Sequence, residues 1–283
     1  KLFLKSSFTL SNSDTVFYSA SIVRRKVNEL EIAYGTIFSG ILVARLTNAF
    51  DESVALLSTI YSISGHKGTV FSVLHHPTQN DILISCSDDR LVKVWNVLAD
   101  SYELICTCSG HDARVWTINA QNDLIASVSE DNSLKLWNLR GELVDELLCD
   151  GNSKSLWSVS INSQSSAIAI GSNDGSVQIY DRSKELLSTD EFKIEGGIKY
   201  FKLGTDGSCF LATEDSKLLR IGHKKNFSTI LADIKIAALE VDDQNNLFIC
   251  DNSGKLIRVS DGNITRSFSF NEPVAEIFVH GPV

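Results

Sequence analysis

The chain has 283 residues, of which 43% are hydrophobic and 22% charged, and its formal net charge is −9. This is the composition of an ordinary globular protein that buries a core, with room for one large all-β domain or two average domains. The negative charge argues against a protein coated in basic surface for nucleic acid, although a local basic face on an acidic body remains compatible with it.

The cysteines and the ends of the chain give expectations about its cellular context. Cys106 and Cys108 are two apart on a predicted strand, so they share a face and cannot chelate a metal as a C-x-x-C turn does. We interpret the six scattered cysteines as buried free thiols, which indicates a reducing, cytoplasmic location. No apolar stretch approaches transmembrane length, and no charged-then-apolar leader opens the chain, so we expect no membrane association. The chain opens on Lys1 and lacks methionine, so we expect it to be a segment of a longer protein.

The predicted elements are all strands. Before Gly65, "TVFYSASIVRR", "ELEIAYGT", "GILVARL" and "SVALLSTIYSIS" alternate apolar and polar residues. Three similar units follow, "GHKGTVFSV", "GHDARVWTI" and "GNSKSLWSV", whose starts at Gly65, Gly110 and Gly151 lie 45 and 41 residues apart. Each leads into a second strand, a tight turn and a third strand. Weaker copies occupy 198–221 and 236–259.

This spacing is typical of β-propeller blades. We predict one all-β propeller over residues 1–283, of seven blades with four antiparallel strands each. Six blades are recognisable, at 14–62, 63–107, 108–148, 149–188, 192–231 and 234–270. The termini, 1–10 and 272–283, are predicted to supply strands to an incomplete or shared closing blade.

The repeats resemble WD repeats, with "WN" or "YD" in the place of the name-giving dipeptide. In that family a His from the loop entering the blade, a Ser from the second strand, an Asp from the tight turn and a Trp from the third strand form a structural hydrogen-bonded tetrad. The resemblance assigns these roles to His66, Ser85, Asp89 and Trp95, and again to His111, Ser127, Asp131 and Trp137. In the next blade Asn152 and Ile170 replace the His and the Ser, so the tetrad is broken there.

His, Ser and Asp close together also raise the possibility of a hydrolase triad. A triad should occur once, whereas this arrangement occurs twice at the blade period, which favours the structural interpretation. The chain also lacks dinucleotide, P-loop, nucleophile-elbow and zinc-protease motifs. His75 and His76 are interpreted as a solvated turn rather than as metal ligands. Paired acids such as Asp88 and Asp89 fit tight turns better than acid–base catalysis. We therefore predict a binding protein with no catalytic residues, no metal and no cofactor of its own.

Binding is expected at the face that, in WD propellers, carries the loops entering the first strands and the turns between second and third strands. Thr69, Arg114, Ser155 and Lys199 are predicted to lie at one level in successive blades. The candidate rim for RNA or a partner protein comprises Lys67, Arg90, Arg114, Lys154, Lys199 and Lys235. Ordinary solvated charge is the alternative, and Asp88, Asp112, Glu130 and Glu214 on the same rim would dilute the potential. Trp116 and Trp157 are interpreted as core packing between blades rather than as platforms for bases.

A closer resemblance rests on "GTIFSGILV" (Gly35–Val43), "SCSDDRLVKVWN", "GHDARVW" (Gly110–Trp116) and "SLWSV" one blade later. These segments are similar to the WD-repeat protein six family, large multi-propeller auxiliary subunits of the tRNA 2′-O-ribose methyltransferase that modifies the wobble nucleotide. The similarity covers roughly residues 32–181 well. "LVARL" (Leu42–Leu46) departs from the family by lacking Trp-Asp.

The resemblance implies a non-catalytic scaffold whose partners are tRNA and the methyltransferase subunit, with no role for DNA or a membrane. S-adenosylmethionine is expected on the partner subunit. A generic interaction scaffold, in trafficking or ubiquitin-ligase assembly, is the main alternative. An enzyme that uses the central channel is the third hypothesis, and it requires a polar cluster that occurs once.

Overall fold

The computed structural model is built of β-strands and turns. It describes residues 17–26, 29–47, 56–98, 101–149, 155–162, 167–181, 190–221, 227–242, 244–251, 253, 255–260 and 263–269. Within those ranges there are 24 strands and no helix. Accordingly, no helix in the described ranges is long and apolar enough to cross a membrane.

The strands form six antiparallel sheets of four, each built from consecutive strands. Blade 1 contains β1 (Phe17–Lys26), β2 (Glu29–Thr36), β3 (Gly40–Thr47) and β4 (Leu56–Ser64). Blade 2 contains β5 (Val70–His75), β6 (Ile82–Ser87), β7 (Leu91–Val97) and β8 (Tyr102–Ser109). Blade 3 contains β9 (Val115–Gln121), β10 (Leu124–Ser129), β11 (Ser133–Asn138) and β12 (Leu143–Leu148).

The second half of the chain repeats this order. Blade 4 contains β13 (Leu156–Ile161), β14 (Ala167–Ser172), β15 (Ser176–Asp181) and β16 (Asp190–Lys193). Blade 5 contains β17 (Ile198–Leu203), β18 (Cys209–Thr213), β19 (Leu218–Ile221) and β20 (Phe227–Leu231). Blade 6 contains β21 (Ile236–Val241), β22 (Leu247–Asp251), β23 (Lys255–Ser260) and β24 (Asn263–Ser269).

The first strand of each blade is its innermost strand. β1 contacts β5, β5 contacts β9, and the series continues through β13 and β17 to β21. First strands that touch in chain order line a common axis, which is the arrangement of a β-propeller. Six blades are thus seen, as predicted. The termini assigned to a seventh, closing blade lie outside the described residues.

The middle strands form the core because adjacent blades cover both of their faces. In β6, β10 and β14 the last five of six residues are buried in each strand. Ile84, Ile125 and Ile168 are fully enclosed. Burying each such side chain contributes about 1.5–3 kcal/mol. Sheets covered on both faces need nearly continuous apolar strands, which is what these segments provide.

Serines on the innermost strands join neighbouring blades. An innermost strand is the edge of its sheet, so its outward N–H groups need acceptors. The N–H of His75 donates to the Ser21 hydroxyl of blade 1 at 2.8 Å. In blade 5, the N–H of Phe201 donates to the Ser158 hydroxyl of blade 4 at 3.0 Å. These bonds fix the position of each blade against the next.

The fourth strands extend beyond the predicted blade boundaries. β4 and β8 run two residues past the predicted ends at 62 and 107, because Ser64 pairs with Gly40 and Ser109 with Leu91. β16 lies beyond the predicted boundary at 188. Its sequence, "DEFK", lacks the apolar alternation that identifies a strand in the sequence, yet it pairs with β15.

Candidate docking surface

The predicted tetrad residues lie within hydrogen-bonding distance of one another in blades 2 and 3. In blade 3, His111 Nε2 lies 2.8 Å from Ser127 Oγ, and His111 Nδ1 lies 2.9 Å from Asp131 Oδ2. The Trp137 indole N–H donates to the same Ser127 oxygen at 2.8 Å. In blade 2, His66 Nε2 lies 2.8 Å from Ser85 Oγ, and His66 Nδ1 lies 2.9 Å from Asp89 Oδ2. The Trp95 indole N–H donates to Ser85 Oγ at 2.9 Å.

This geometry defines a directional chain of donors. Because the indole N–H can only donate, the serine hydroxyl accepts from the tryptophan and has its own proton free for the histidine. The histidine then accepts at Nε2 and donates from Nδ1 to the carboxylate, a tautomer that follows from the network. Ser85 and Ser127 are both 0% exposed. A hydroxyl with no access to solvent cannot attack a substrate, so the arrangement fastens loop, strand and turn together.

The turn carboxylates are held in the ionised form. Burial alone would raise the pKa of Asp131, but hydrogen bonds from His111, Ser133 and the Asp112 amide outweigh burial and hold that pKa well below its ordinary value. Burial opposes ionisation of Asp89 in the same way, and His66 with the Lys67 and Leu91 amides lowers its pKa. Each carboxylate therefore acts as a charged acceptor that ties down its loop.

Blade 4 lacks this tetrad, in agreement with its sequence. Ile170 fills the serine position and is buried, while Asn152 lies outside the described residues. Asp174 instead binds the hydroxyl of Ser172 and the ammonium of Lys193. The Tyr180 hydroxyl donates to Gln178 at 2.6 Å. Local contacts thus replace the link between loop and blade.

The residue after the turn aspartate adopts a left-handed backbone. The φ angles of Arg90, Asn132 and Gly175 are 70°, 63° and 86°. Ser216 occupies the same place in blade 5, with φ of 67°. Gly and Asn tolerate this region, whereas arginine is strained there. The rim residue Arg90 is therefore held in its position at a cost in free energy.

The prediction that His75 and His76 form a solvated turn is wrong. Both side chains are buried. His76 Nε2 donates to the carbonyl oxygen of Asn122 in blade 3 at 2.5 Å, and burial lowers the pKa of His76. The pair anchors the end of β5 to neighbouring blades, which a sequence pattern cannot show.

No group of three metal-ligating side chains occurs in the ranges that the structure describes; His223 and His280 lie outside them.

His75 belongs to a buried ionic cluster between blades 1 and 2. Glu31, 1% exposed, lies 2.6 Å from an Arg25 nitrogen and 3.5 Å from His75 Nε2. Arg45 lies 3.6 Å from its second oxygen. Burial would raise the pKa of Glu31, but the contacts with His75 and Arg25 lower it to about 2. The WD-repeat pattern expects Trp-Asp at the end of β3. That dipeptide is missing from "LVARL", and Arg45 of this segment extends the ionic cluster instead.

All six cysteines are free, but their surroundings differ. Burial raises the pKa of Cys86, and it raises that of Cys209 to about 12. Cys106 is half-buried, and a hydrogen bond with Cys108 lowers the pKa of its thiol below the ordinary value. The expectation of buried free thiols is therefore confirmed for five of the six cysteines and is wrong only for Cys106.

The predicted basic rim lies at the end of the blades that carries the loop entering each first strand and the turn between second and third strands. We call this end the turn face. The exposed rim side chains are those of Lys67, Arg90, Arg114, Lys199 and Lys235, while Lys154 lies outside the described residues. Arg114 is already paired, with its Nε 2.9 Å from Glu130 and 3.3 Å from Asp88. These carboxylates offset its charge, as the acids in the sequence lead one to expect.

The pairing register of the innermost strands shows which rim residues lie level with Arg114. Val115 pairs with Ser129, and the equivalent pairs are Ile198 with Thr213 and Ile236 with Asp251. Lys235, which precedes Ile236, is therefore level with Arg114, whereas Lys199 lies two positions further along its strand. The prediction that Lys199 lies level with Arg114 is therefore wrong: Gly197 occupies that position, and the weak sequence similarity of blade 5 conceals the register of its first strand.

Sequence reasoning missed a row of aromatic side chains on the innermost strands. The rings of Tyr18 and Phe71 are 5.3 Å apart, those of Phe71 and Trp116 4.7 Å, and those of Trp116 and Trp157 6.4 Å. The two tryptophans do pack between blades, as predicted, but they are only partly buried. We call Tyr18, Phe71, Trp116 and Trp157 the aromatic arc.

Comparison with known proteins places WD repeats in the middle of the chain. The family model described as WD domain, G-beta repeat, matches residues 57–96, 102–138 and 142–181. Each match covers the outermost strand of one blade and the three inner strands of the next, so every sequence repeat bridges two sheets. No curated protein matches the chain. The molecule is a WD-type β-propeller with four-stranded antiparallel blades, and the repeats support a WD-repeat family.

Proposed function

We propose that this propeller is a non-catalytic auxiliary subunit that holds tRNA for a partner 2′-O-ribose methyltransferase. A WD-repeat propeller is typically an interaction scaffold rather than an enzyme, and the buried, repeated tetrads described above agree with that role. The finer proposal depends on the motifs shared with the WD-repeat protein six family over residues 32–181. S-adenosylmethionine would be bound by the partner.

The observation that carries the proposal is the set of unpaired cations on the turn face. Lys67, Arg90 and Lys235 are exposed, and no described carboxylate lies within ion-pair distance of them. Lysine and arginine side chains in such positions contact phosphates and so position a nucleic acid without reading its sequence. Holding a tRNA body in a productive orientation lets a partner enzyme act faster without any chemistry in the scaffold.

The direct test is purification of the tagged protein from cells, followed by mass spectrometry of the bound proteins and of the nucleosides in the bound RNA. The proposal predicts a methyltransferase and tRNA in the complex. Other proteins without tRNA or a methyltransferase would contradict it and favour the generic scaffold.

A binding assay tests the surface. The double substitution Lys67→Glu and Lys235→Glu should weaken tRNA binding by about tenfold and reduce its salt dependence, because phosphate contacts are lost. Arg140→Glu is the matched control, since Arg140 is exposed in the turn between β11 and β12, at the opposite end of the blades. An equal loss in both variants would show nonspecific attraction and contradict the assignment of the turn face.

A further inference from the structure

The outermost strands of blades 2 and 3 carry the same short sequence where they begin. It is Glu-Leu-Ile at 103–105 in β8, and Glu-Leu-Val at 142–144, at the start of β12. The four aliphatic side chains are exposed to nearly the same extent, 49% and 46% in β8 and 48% and 49% in β12. They are four of the nine large apolar side chains that are exposed in the described ranges, and such a concentration is typical of an interaction site. We call these six residues the outer patch.

A β-bulge in each strand explains why two consecutive side chains are exposed. The extra residue is Ile105 in β8 and Val144 in β12. Leu104 and Leu143, which precede them, pair with the tetrad tryptophans of β7 and β11, so the outer patch lies at one level in both blades. A bulge interrupts the regular alternation of side chains, and bulges are frequent beside functional sites. Bulges on the innermost strands place the rings of the aromatic arc in the same way.

The two halves of the outer patch adjoin. The Cys106 thiol, next to Ile105, donates to the Leu139 carbonyl oxygen in the turn before β12 at 3.5 Å. A Cβ on Gly141, next to Glu142, would lie only 3.1 Å from the Cβ and Sγ of Cys106. Glycine therefore lets this turn pack directly against β8. Direct contact between β8 and the turn makes one surface of the two strand beginnings.

The backbone of this surface is a sheet edge. β8 and β12 each end the order of strands in their sheets, so in the described structure one side of each backbone has no strand partner. The Cys149 N–H donates inward to Asn132, and because the direction alternates along a strand, the Glu146 N–H points outward. It donates to the Asp145 carboxylate at 2.9 Å, a neighbouring side chain rather than a strand. An extended peptide is the ligand that such an edge accepts.

The charge around the outer patch is mainly negative. Along β8, β12 and the turn before β12 there are four carboxylates and one cation, the exposed Arg140. Two further ammonium groups nearby are buried and already bound, Lys93 to the Thr107 hydroxyl and Lys135 to Glu146. The other carboxylates, those of Glu103, Glu142 and Asp145, are exposed and have no cation within ion-pair distance in the described ranges. A ligand with basic side chains therefore complements this surface.

We propose that the outer patch binds an extended segment of a partner protein in which lysine or arginine lies next to aliphatic side chains. The aliphatic side chains contact Leu104, Ile105, Leu143 and Val144, and the basic side chains lie near Glu103 and Glu142. Opposite charges and apolar pairs across neighbouring strands are both stabilising. This surface goes beyond the proposed function, because it serves a protein partner whether or not the turn face binds tRNA.

A second copy of the chain fits the outer patch less well than such a segment. A twofold contact would place the patch against itself and bring the same carboxylates together. Like charges that face each other across strands are destabilising. The carboxylates also oppose contact with the phosphates of a nucleic acid. Sedimentation velocity of the parent protein tests the second copy, and dimerisation that requires Leu104 and Leu143 would overturn the proposal.

Peptides of defined charge test the chemistry. The probe is a blocked, fluorescein-labelled peptide with two Lys-Ile-Val units joined by Gly-Ser-Gly, and fluorescence anisotropy follows its binding. Glutamate in place of both lysines should weaken binding about tenfold, because like charges then meet at the edge. Serine in place of the isoleucines and valines should also weaken it at least about tenfold, because apolar contact is lost. No binding of the lysine peptide, or equal binding of the lysine and glutamate peptides, would overturn the proposal.

A double variant and a matched control locate the site. Leu104→Ser with Leu143→Ser should weaken binding of the lysine peptide about tenfold, and half-exposed positions should tolerate serine. Ile264→Ser is the control, because Ile264 is 56% exposed on β24, the outermost strand of blade 6. An equal loss in the control would overturn the assignment to blades 2 and 3.

A second double variant tests the charges without removing apolar contact. Glu103→Gln with Glu142→Gln keeps the shape of both side chains and should reduce the difference in affinity between the lysine and glutamate peptides. An undiminished difference would contradict the role of these carboxylates.

These outcomes are separate from those of the proposed function. The Lys67→Glu and Lys235→Glu variant should bind the lysine peptide as the parent does, and the Leu104→Ser and Leu143→Ser variant should keep its tRNA binding. Absence of peptide binding with intact tRNA binding would reject the outer patch alone.

Discussion

The carboxylate of Asp131 accepts a hydrogen bond from the Nδ1 of His111 at 2.9 Å, at the turn end of blade 3. Asp89 and His66 repeat this bond at the same distance in blade 2. Repetition at the blade period, with the partner serines fully buried, shows that the bond connects a loop to a sheet. Removing this bond should therefore lower the free energy of unfolding.

Asp131→Ala should lower the free energy of unfolding by about 1–3 kcal/mol, because it leaves a buried imidazole without its acceptor. Urea denaturation at pH 7 measures this change. Asp89→Ala should cost a similar amount, since it breaks the same bond. Asp112→Ala, at an exposed neighbouring position, should stay within about 0.5 kcal/mol of the parent. A cost for Asp131→Ala no larger than for Asp112→Ala would contradict the structural role of the tetrads.

Arg90→Gly should stabilise the protein by about 0.5–1 kcal/mol, because glycine removes the left-handed strain at φ of 70° and this gain exceeds its entropic cost. The same denaturation experiment detects the gain. Arg140→Gly serves as the control, since Arg140 is a turn arginine outside the left-handed region, and that substitution should be neutral or destabilising. Destabilisation of the Arg90→Gly variant would show that this turn is unstrained.

The sequence was sufficient to predict the elements that repeat. The tetrads of blades 2 and 3, the order of the blades and the break in blade 4 all follow from residue types at a fixed period. The aromatic arc did not follow, because a bulge adds one residue and is invisible in apolar alternation. His75 and His76 resembled a loop before Pro77, and only packing of β5 against blades 1 and 3 buries them. Interactions between blades depend on contacts far apart in the chain, which a local pattern does not record.

Glu31→Gln should lower the free energy of unfolding by about 2–3 kcal/mol at pH 7, because it removes the buried charge that pairs with Arg25. The pKa of Glu31 is lowered from 4.5 to about 2 in the folded protein. The stability that its ionised form contributes is therefore complete above pH 4.5 and is lost as the pH falls toward 2.

The difference between parent and variant is measured by urea denaturation from pH 7 to pH 3.5. It should be constant down to the ordinary pKa of a glutamate and then shrink. Glu103→Gln, at an exposed position in β8, provides a comparison that should show little difference at any pH. A gap between parent and Glu31→Gln that stays constant through the acid range would contradict the lowered pKa.

Cys106 should be the first described cysteine to react with iodoacetamide in the native protein. Its thiol is half-buried with a lowered pKa, whereas burial raises the pKa of Cys209 to about 12 and that of Cys250 to about 11. Thiolates are the reactive form, so this difference should separate the alkylation rates. A short pulse at pH 8 followed by peptide mapping measures them, and Cys106→Ser should abolish the fast phase. Faster labelling of Cys209 would contradict the described burial.

The role in tRNA modification is tested most directly in cells from which the gene has been deleted. Nucleoside mass spectrometry of purified tRNA measures the 2′-O-methylated wobble nucleotide with and without the protein. If the propeller orients tRNA for a partner methyltransferase, this modification disappears on deletion and returns when the gene is restored. An unchanged level of wobble 2′-O-methylation after deletion would contradict the proposed function.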